Sequence, residues 1–100
     1  MTFLERHIPE IKKLCSSYSV KSLYAFGSVL TNKFTAKSDI DLIVDFENVQ
    51  LEEYADNYFE FKFALQSVLN RQVDLLEEQA IKNPYFKKNI SEHKQLIYGH

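Results

Sequence analysis

The sequence predicts a small domain in which helices and strands share one hydrophobic core. Two long segments carry apolar residues at helical spacing, and several short runs of β-branched, aromatic and aliphatic residues are typical of strands. The length of 100 residues and the hydrophobic content of 45% suit one globular domain, since domains usually hold about 100–150 residues. We therefore expect residues 1–100 to form a single domain.

The first half of the chain predicts a helix, a strand and a connecting segment. Residues 3–18 form the helix, because their apolar positions share one helical face: Leu4, Ile8, Ile11, Leu14, Cys15 and Tyr18. The run Val20–Phe26 is short, rich in β-branched and aromatic residues, and stops at Gly27, which permits a sharp turn. Residues 28–38 are mostly polar and predict a connecting segment with room for a short helix.

A buried strand and a long helix come next. The dense apolar run from Ile40 to Phe46 indicates a largely buried central strand, although Asp39, Asp41 and Asp45 interrupt its pattern. Residues 51–69 predict a long helix from a second apolar stripe, which comprises Leu51, Tyr54, Tyr58, Phe61, Leu65, Val68 and Leu69. Of the remaining aromatic residues, Phe59 and Phe63 fit this stripe poorly, so one of them could face a partner.

The last third of the chain predicts two short strands around a helical turn. Residues 73–76 form a small strand candidate after a break at Asn70 and Arg71. Pro84 suits the first position of a helical turn. Residues 93–98 predict a final edge strand that Gly99 ends.

Composition excludes several classes of function. A net charge of −2 and a pI near 5.9 argue against a domain that binds nucleic acid by itself. Cys15 is the only cysteine, so neither an internal disulfide nor a cysteine-based zinc site is available, and we expect it in the core. No apolar run approaches the roughly 20 residues of a membrane span. We expect a soluble, cytoplasmic protein without a membrane partner.

The pattern Asp39-Ile40-Asp41 predicts a metal site. Residues two apart on a strand project from the same face, so these two carboxylates would repel each other unless a cation joins them. Burying an unpaired carboxylate costs several kcal/mol. Mg²⁺ prefers one or two carboxylates together with water and phosphate oxygens, which is what such a pair at the start of a strand offers.

Asp74 and the turn at Gly27 extend this candidate site. Asp74 lies inside a short apolar run, and three carboxylates on adjacent strands could hold two metals about 3.5–4 Å apart. Gly27 would let backbone N–H groups approach phosphate oxygens closely, and the Ser28 hydroxyl adds a donor. The residues alone thus indicate metal binding by Asp39, Asp41 and Asp74 and phosphate binding by the turn at Gly27 and Ser28.

These residues together resemble a known motif. Residues 26–46 read FGSVLTNKFTAKSDIDLIVDF, which is similar to the GS-x10-DxD motif of the minimal nucleotidyltransferases, the MNT family of the polymerase-beta-like superfamily. The order of elements also resembles that family over nearly the whole chain. The resemblance implies an α+β fold, with a small mixed β-sheet packed against helices, and Mg²⁺-dependent transfer of a nucleoside monophosphate with release of pyrophosphate.

The resemblance also implies roles and a partner. By position, Asp39 and Asp41 would bind metals that bridge the triphosphate, and Asp74 would bind the catalytic metal and help to deprotonate an acceptor hydroxyl. The resemblance thus assigns catalysis and metal binding to these three residues, and nucleotide binding to Gly27, Ser28 and Ser38. Many family members of this size resemble antitoxins that use ATP to attach AMP to a tyrosine of a HEPN-domain toxin encoded beside them. For this chain we therefore expect ATP, Mg²⁺ and a HEPN toxin as ligands and partner, in a hetero-oligomer.

Two other functions stay open at this point. Many relatives carry an arginine and a glycine soon after the serine, as in GSxARG, whereas residues 29–32 here read VLTN, with Lys33 and Lys37 as the nearby cations. This departure favours a catalytically degenerate module that neutralises a toxin by occlusion. The third alternative is a catalytic subunit that modifies a small molecule or an RNA end with a helper subunit.

Overall fold

The computed structural model describes residues 2–99, which form a four-stranded mixed sheet with helices against both faces. The helices are α1 (Thr2–Glu5), α2 (Ile8–Ser17), α3 (Leu51–Leu69) and α4 (Pro84–His93), and the strands are β1 (Val20–Phe26), β2 (Ile40–Phe46), β3 (Val73–Glu77) and β4 (Gln95–Gly99). Short 3-10 turns cover Gly27–Leu30 and Glu78–Ala80. This α+β architecture with a small mixed sheet is the fold that the resemblance implied.

The strand order places the two acidic strands side by side. The order is β3-β2-β1-β4, with β1 antiparallel to both β2 and β4 and with β2 parallel to β3. Parallel neighbours need a crossover connection, and the long helix α3 supplies it between β2 and β3. In this register Asp41 pairs with Phe26 on one side and with Asp74 on the other.

One face of the sheet packs against α2 and α3 to make the core. Side chains from the sheet and both helices there are at most 1% exposed, among them Ile11, Cys15, Leu23, Ala25, Ile40, Leu42, Val44, Phe61 and Leu65. Burial also raises the pKa of the Cys15 thiol to about 12, as expected for a cysteine that only fills space. The predicted stripe of α3 is confirmed at Tyr54, Tyr58, Phe61, Leu65 and Leu69. Val68 is half-buried, and Leu51, the first residue of the helix, is 89% exposed.

The prediction of one helix over residues 3–18 is wrong in one respect, because the helix is interrupted between Glu5 and Ile8. Pro9 explains the break. Its nitrogen carries no hydrogen, and its ring would collide with the carbonyl of Glu5, four residues earlier in a continuous helix. Proline is instead tolerated in a first turn, where it lies in α2. Hydrophobic periodicity continues through the break, since both helices contact the same core.

The remaining predicted elements are confirmed with small shifts at their ends. Residues 84–93 make a full helix rather than one turn, because the Asn83 side chain caps it by accepting hydrogen bonds from the backbone N–H groups of Tyr85 and Phe86, at 2.9 and 3.2 Å. Consequently His93 ends α4, and the edge strand β4 starts at Gln95. None of the helices within residues 2–99 has the length and apolar character to cross a membrane.

Phe59 and Phe63 lie outside the core, as their poor fit to the apolar stripe predicts. Their side chains are 49% and 58% exposed on the outer side of α3. The two rings stack on each other with centroids 6.1 Å apart. That they contact a partner stays a prediction.

Candidate active site

The three predicted carboxylates meet at one end of β2 and β3. Asp41 and Asp74 are register partners on parallel strands, whose spacing is roughly 4.8 Å, so both side chains project from the same face. Asp39 immediately precedes β2 and lies two residues before Asp41, which directs it to that face as well. The adjacency of the two strands, which the sequence alone could only assume, is therefore confirmed. This face is the one that α2 and α3 leave uncovered.

Asp41 is the electrostatic centre of this group. It is half-buried, whereas Asp39 and Asp74 are exposed. Burial, and then the negative charges of Asp74 and Asp39, raise the pKa of the Asp41 carboxyl above its ordinary value of 3.8. The protein thus holds a carboxylate at Asp41 at a cost to its own stability, which is typical of functional sites.

We expect Asp41→Asn to stabilise the metal-free protein at neutral pH. Because folding raises the pKa of Asp41, the ionised carboxylate destabilises the folded state at neutral pH. This destabilisation decreases as the pH falls through the folded-state pKa toward the ordinary value of 3.8, and it is absent at lower pH, where the carboxyl is protonated in both states. The variant should therefore melt above the wild type at pH 7, and the difference should shrink as the pH approaches 4. Thermal unfolding from pH 3.5 to 8 in chelator measures this. Asp45→Asn, on the same strand, is the control, and an equal gain there would contradict the repulsion.

The turn after β1 lies directly against the Asp41 carboxylate. Gly27 has a φ of +76°, and a Cβ placed on it would be 2.6 Å from Asp41 Oδ2. Both facts favour glycine, because other residues adopt this conformation less readily and a side chain would displace the carboxylate. Ser28 follows in the same turn, and buried Val29 anchors the turn in the core. The backbone of Gly27 and Ser28 consequently borders the acidic group.

Ser38 is engaged in a local turn. Its hydroxyl oxygen accepts a hydrogen bond from the backbone N–H of Thr35 at 3.0 Å and lies 3.2 Å from the Thr35 hydroxyl. These contacts close the turn over residues 35–38 immediately before Asp39. Ser38 therefore has an evident structural role, and its assignment to nucleotide binding stays a prediction.

Helix α4 borders the site on the same face of the sheet. Phe86 packs edge-on against Phe26, the cross-strand neighbour of Asp41, with ring centroids 6.3 Å apart. Farther along, the Lys94 ammonium lies 4.0 Å from the ring centroid of Tyr24. Tyr85 and Phe86 are 85% and 42% exposed at the start of α4. The carboxylates thus lie beside a surface that carries exposed aromatic side chains.

Arg71 also belongs to this region and was missed by sequence reasoning, which placed it in a simple break between helix and strand. It lines an open cavity of about 390 Å³ together with Ala36, Lys37, Ser38, Asp39, Gln66, Asn70 and Gln72. Its side chain donates hydrogen bonds to backbone carbonyl oxygens of the loop that precedes Asp39. Its position three residues before Asp74 was the available signal, although a single cation at that spacing is weak evidence.

The residues present fit a divalent cation that is shared with a substrate. Within residues 2–99, no group of three or more aspartate, glutamate, histidine or cysteine side chains, the three predicted carboxylates included, is placed so that it could hold a metal ion. Mg²⁺, however, takes only one or two carboxylates and completes its shell with water and phosphate oxygens. The excess negative charge around Asp41 and the glycine turn that opens beside it match such a half-open site.

Comparisons with known proteins identify the family of this chain. The profile of the Nucleotidyltransferase domain family matches residues 8–97. A protein of Methanocaldococcus jannaschii, whose name describes it as a candidate protein adenylyltransferase, is 45% identical over 87 residues, which cover 87% of this chain and 84% of that protein.

Two solved structures share the fold. One is described as a candidate minimal nucleotidyltransferase, with a TM-score of 0.76, 24% identity, and coverage of 92% of this chain and 90% of the other. The second is a tri-AMPylated HEPN toxin of Shewanella oneidensis in complex with an MNT antitoxin, with a TM-score of 0.66, 19% identity, and coverage of 96% and 72%. At these identities the two likenesses establish the fold alone.

Proposed function

Because this chain belongs to the nucleotidyltransferase domain family, we propose that it is an antitoxin that transfers AMP from ATP to a tyrosine hydroxyl of a partner HEPN toxin. The observation that carries this proposal is the convergence of Asp41, Asp74 and the Gly27 turn at one end of the sheet. The name of the Methanocaldococcus relative supports the reaction, and the AMPylated HEPN toxin bound to an MNT antitoxin supports the acceptor. We further propose that residues 1–100 act as one minimal domain.

The carboxylates hold the cation and activate the acceptor in this proposal. Asp39, Asp41 and Asp74 would hold Mg²⁺, with Asp39 and Asp41 contributing to binding of the triphosphate and Asp74 to activation of the acceptor. When bound, Mg²⁺ neutralises the charge that develops on the phosphate oxygens. Asp74 is exposed, so it can also accept the hydroxyl proton as that oxygen attacks the α-phosphorus and pyrophosphate leaves.

The turn that borders the carboxylates binds the triphosphate. The backbone N–H groups of Gly27 and Ser28 can approach phosphate oxygens closely, because Gly27 has no side chain to keep them away. The Ser28 hydroxyl adds a donor, and the Ser38 hydroxyl can also donate while its oxygen accepts from the Thr35 N–H. Lys33 and Lys37 are exposed on the same loop and can neutralise phosphate as point charges.

The acceptor comes from a partner protein. Phe86 on α4 is 42% exposed and packs against Phe26, the cross-strand neighbour of Asp41, and aromatic side chains are enriched in protein interfaces. The net charge of −2 disfavours a nucleic-acid acceptor that is held by this chain itself. We therefore propose a hetero-oligomer in which the toxin presents its tyrosine to the open end of β2 and β3.

A second candidate function is neutralisation by binding without chemistry. It is favoured by residues 29–32, which read VLTN where many relatives have an arginine and a glycine. Lysine replaces the charge of arginine but not its bidentate fork, so the triphosphate would be held less firmly. Action on a small molecule or an RNA end would additionally require a helper subunit that supplies the acceptor site.

Labelled ATP tests the proposal directly. We expect the purified protein to transfer label from [α-³²P]ATP to the HEPN protein encoded beside it, with release of pyrophosphate, only when Mg²⁺ is present. A partner whose acceptor tyrosine is replaced by phenylalanine is the matched control and should stay unlabelled. An unlabelled partner whose toxicity is nevertheless suppressed would establish the occluding alternative, and label on RNA or a small molecule would establish the third.

A further inference from the structure

We propose that Arg71 is a positioning residue, which sets the geometry of the carboxylate site by fixing the turn before Asp39 to the segment that leads into Asp74. This inference rests on the proposed function for its effect on catalysis. The contacts of the Arg71 side chain carry it.

The Arg71 guanidinium holds both ends of one turn. Its Nη2 donates hydrogen bonds to the carbonyl oxygens of Thr35, at 2.7 Å, and of Ser38. The same turn is closed internally by the backbone N–H of Ser38, which donates to the Thr35 carbonyl at 3.1 Å. Because Asp39 is the next residue, a displacement of this turn would move the Asp39 carboxylate directly.

Two aromatic rings fix the orientation of the guanidinium. Its central carbon lies 4.6 Å from the ring centroid of Phe34 and 5.3 Å from that of Phe3, and the two rings are 5.5 Å apart. A guanidinium can stack on aromatic faces while its N–H groups donate in the plane, whereas a lysine ammonium is a point charge without a fork. Arginine is therefore the residue type that this arrangement requires.

Asp39 is held on both sides by residues that precede Asp74. On one side Arg71 binds the carbonyl of Ser38, and on the other the backbone N–H of Ile40 donates to the carbonyl of Gln72 at 2.9 Å. Both links join the start of β2 to the start of β3. They therefore set the distance between the backbone segments that carry Asp39 and Asp74. Loss of the Arg71 link would free the turn before Asp39, whereas the Ile40–Gln72 hydrogen bond would still join the two strands.

Arg71→Ala should therefore lower kcat about 10–100-fold and weaken the apparent affinity for Mg²⁺ by a similar factor, as residues that orient metal ligands usually do. The KM for the partner toxin should stay unchanged. Ethylguanidinium in the assay should restore part of the activity of Arg71→Ala. Arg6→Ala is the matched control. The Arg6 guanidinium lies 5.9 Å from the same Phe3 ring, but among the residues that the structure describes it makes no hydrogen bond to the 35–38 turn.

Limited proteolysis gives a readout that is independent of activity. Lys33 and Lys37 are exposed on the loop that Arg71 fixes, so trypsin should cleave after them faster in Arg71→Ala than in the wild type or Arg6→Ala. Arg71→Lys, which keeps the charge and much of the aliphatic stem, is a second variant if Arg71→Ala fails to fold, and it should also be cleaved faster. Cleavage is followed by mass spectrometry well below the melting temperature of each variant.

The two readouts separate the two proposals. Fast cleavage without transfer by the wild type would refute the proposed function and retain the structural role of Arg71. Wild-type transfer together with unchanged kcat, Mg²⁺ affinity and cleavage in both Arg71 variants would overturn the inference. A loss of kcat that Arg6→Ala reproduces would overturn it as well, because the effect would then belong to the packing around Phe3.

Discussion

Replacing both Asp39 and Asp41 with asparagine should lower nucleotidyl transfer at least about 1000-fold while the protein stays folded. Metal ligation of a transferring phosphoryl group stabilises the transition state by several kcal/mol, and about 4 kcal/mol corresponds to a factor of 1000 in rate. The fold should survive because these side chains are exposed or half-buried and contribute repulsion rather than packing. The rate of AMP transfer and the circular dichroism spectrum measure the two effects.

The melting temperature distinguishes a metal site from a generally acidic surface. Mg²⁺ should raise the melting temperature of the wild type, since a ligand that binds only the folded state stabilises it. The double variant should lose this shift, whereas Asp45→Asn, a change on the same strand, should keep it. Transfer at the wild-type rate by the double variant, or equal Mg²⁺ shifts in all three proteins, would remove Asp39 and Asp41 from the proposed metal site.

The parts of the site that could be predicted are those that depend on local geometry. Asp39 and Asp41 share a face because strand side chains alternate, and Gly27 ends β1 because glycine readily adopts a φ of +76° and leaves room for the carboxylate. Both relations involve neighbours in sequence or a single backbone angle. Local reasoning also gave the bounds of β1, from its composition and the stop at Gly27, and the bounds of α3, from its helical periodicity.

Relations between distant residues could not be predicted in this way. The pairing of Asp41 with Asp74 depends on a parallel register across α3, which periodicity does not specify. Arg71 was missed for a related reason, because its partners Thr35 and Ser38 lie more than 30 residues away and are backbone carbonyls, which leave no trace in a side-chain pattern. The break between α1 and α2, by contrast, could have been predicted from Pro9, because proline disrupts the interior of a helix. The hydrophobic periodicity of residues 3–18 was given more weight than this local rule.

Asp74→Asn should abolish modification of the partner toxin without weakening the complex. In the proposed mechanism Asp74 would help to hold the cation, and it accepts the tyrosine proton. General-base catalysis alone contributes roughly 100–10000-fold. Asp74 is exposed, and asparagine has nearly the same shape, so the surface that contacts the toxin is preserved. The toxin should be co-expressed with each variant, and its intact mass should show added AMP groups with the wild type and none with Asp74→Asn.

Pull-down of the toxin decides how a loss of modification is interpreted. If Asp74→Asn binds the toxin as the wild type does and leaves it unmodified, Asp74 acts in chemistry rather than in assembly. Asp56→Asn, on α3 and outside the carboxylate group, is the matched charge control and should leave modification unchanged. Should the wild type itself suppress toxicity while the toxin mass stays unmodified, the enzyme proposal would fail, and occlusion by a nucleotidyltransferase fold would account for the activity as an antitoxin.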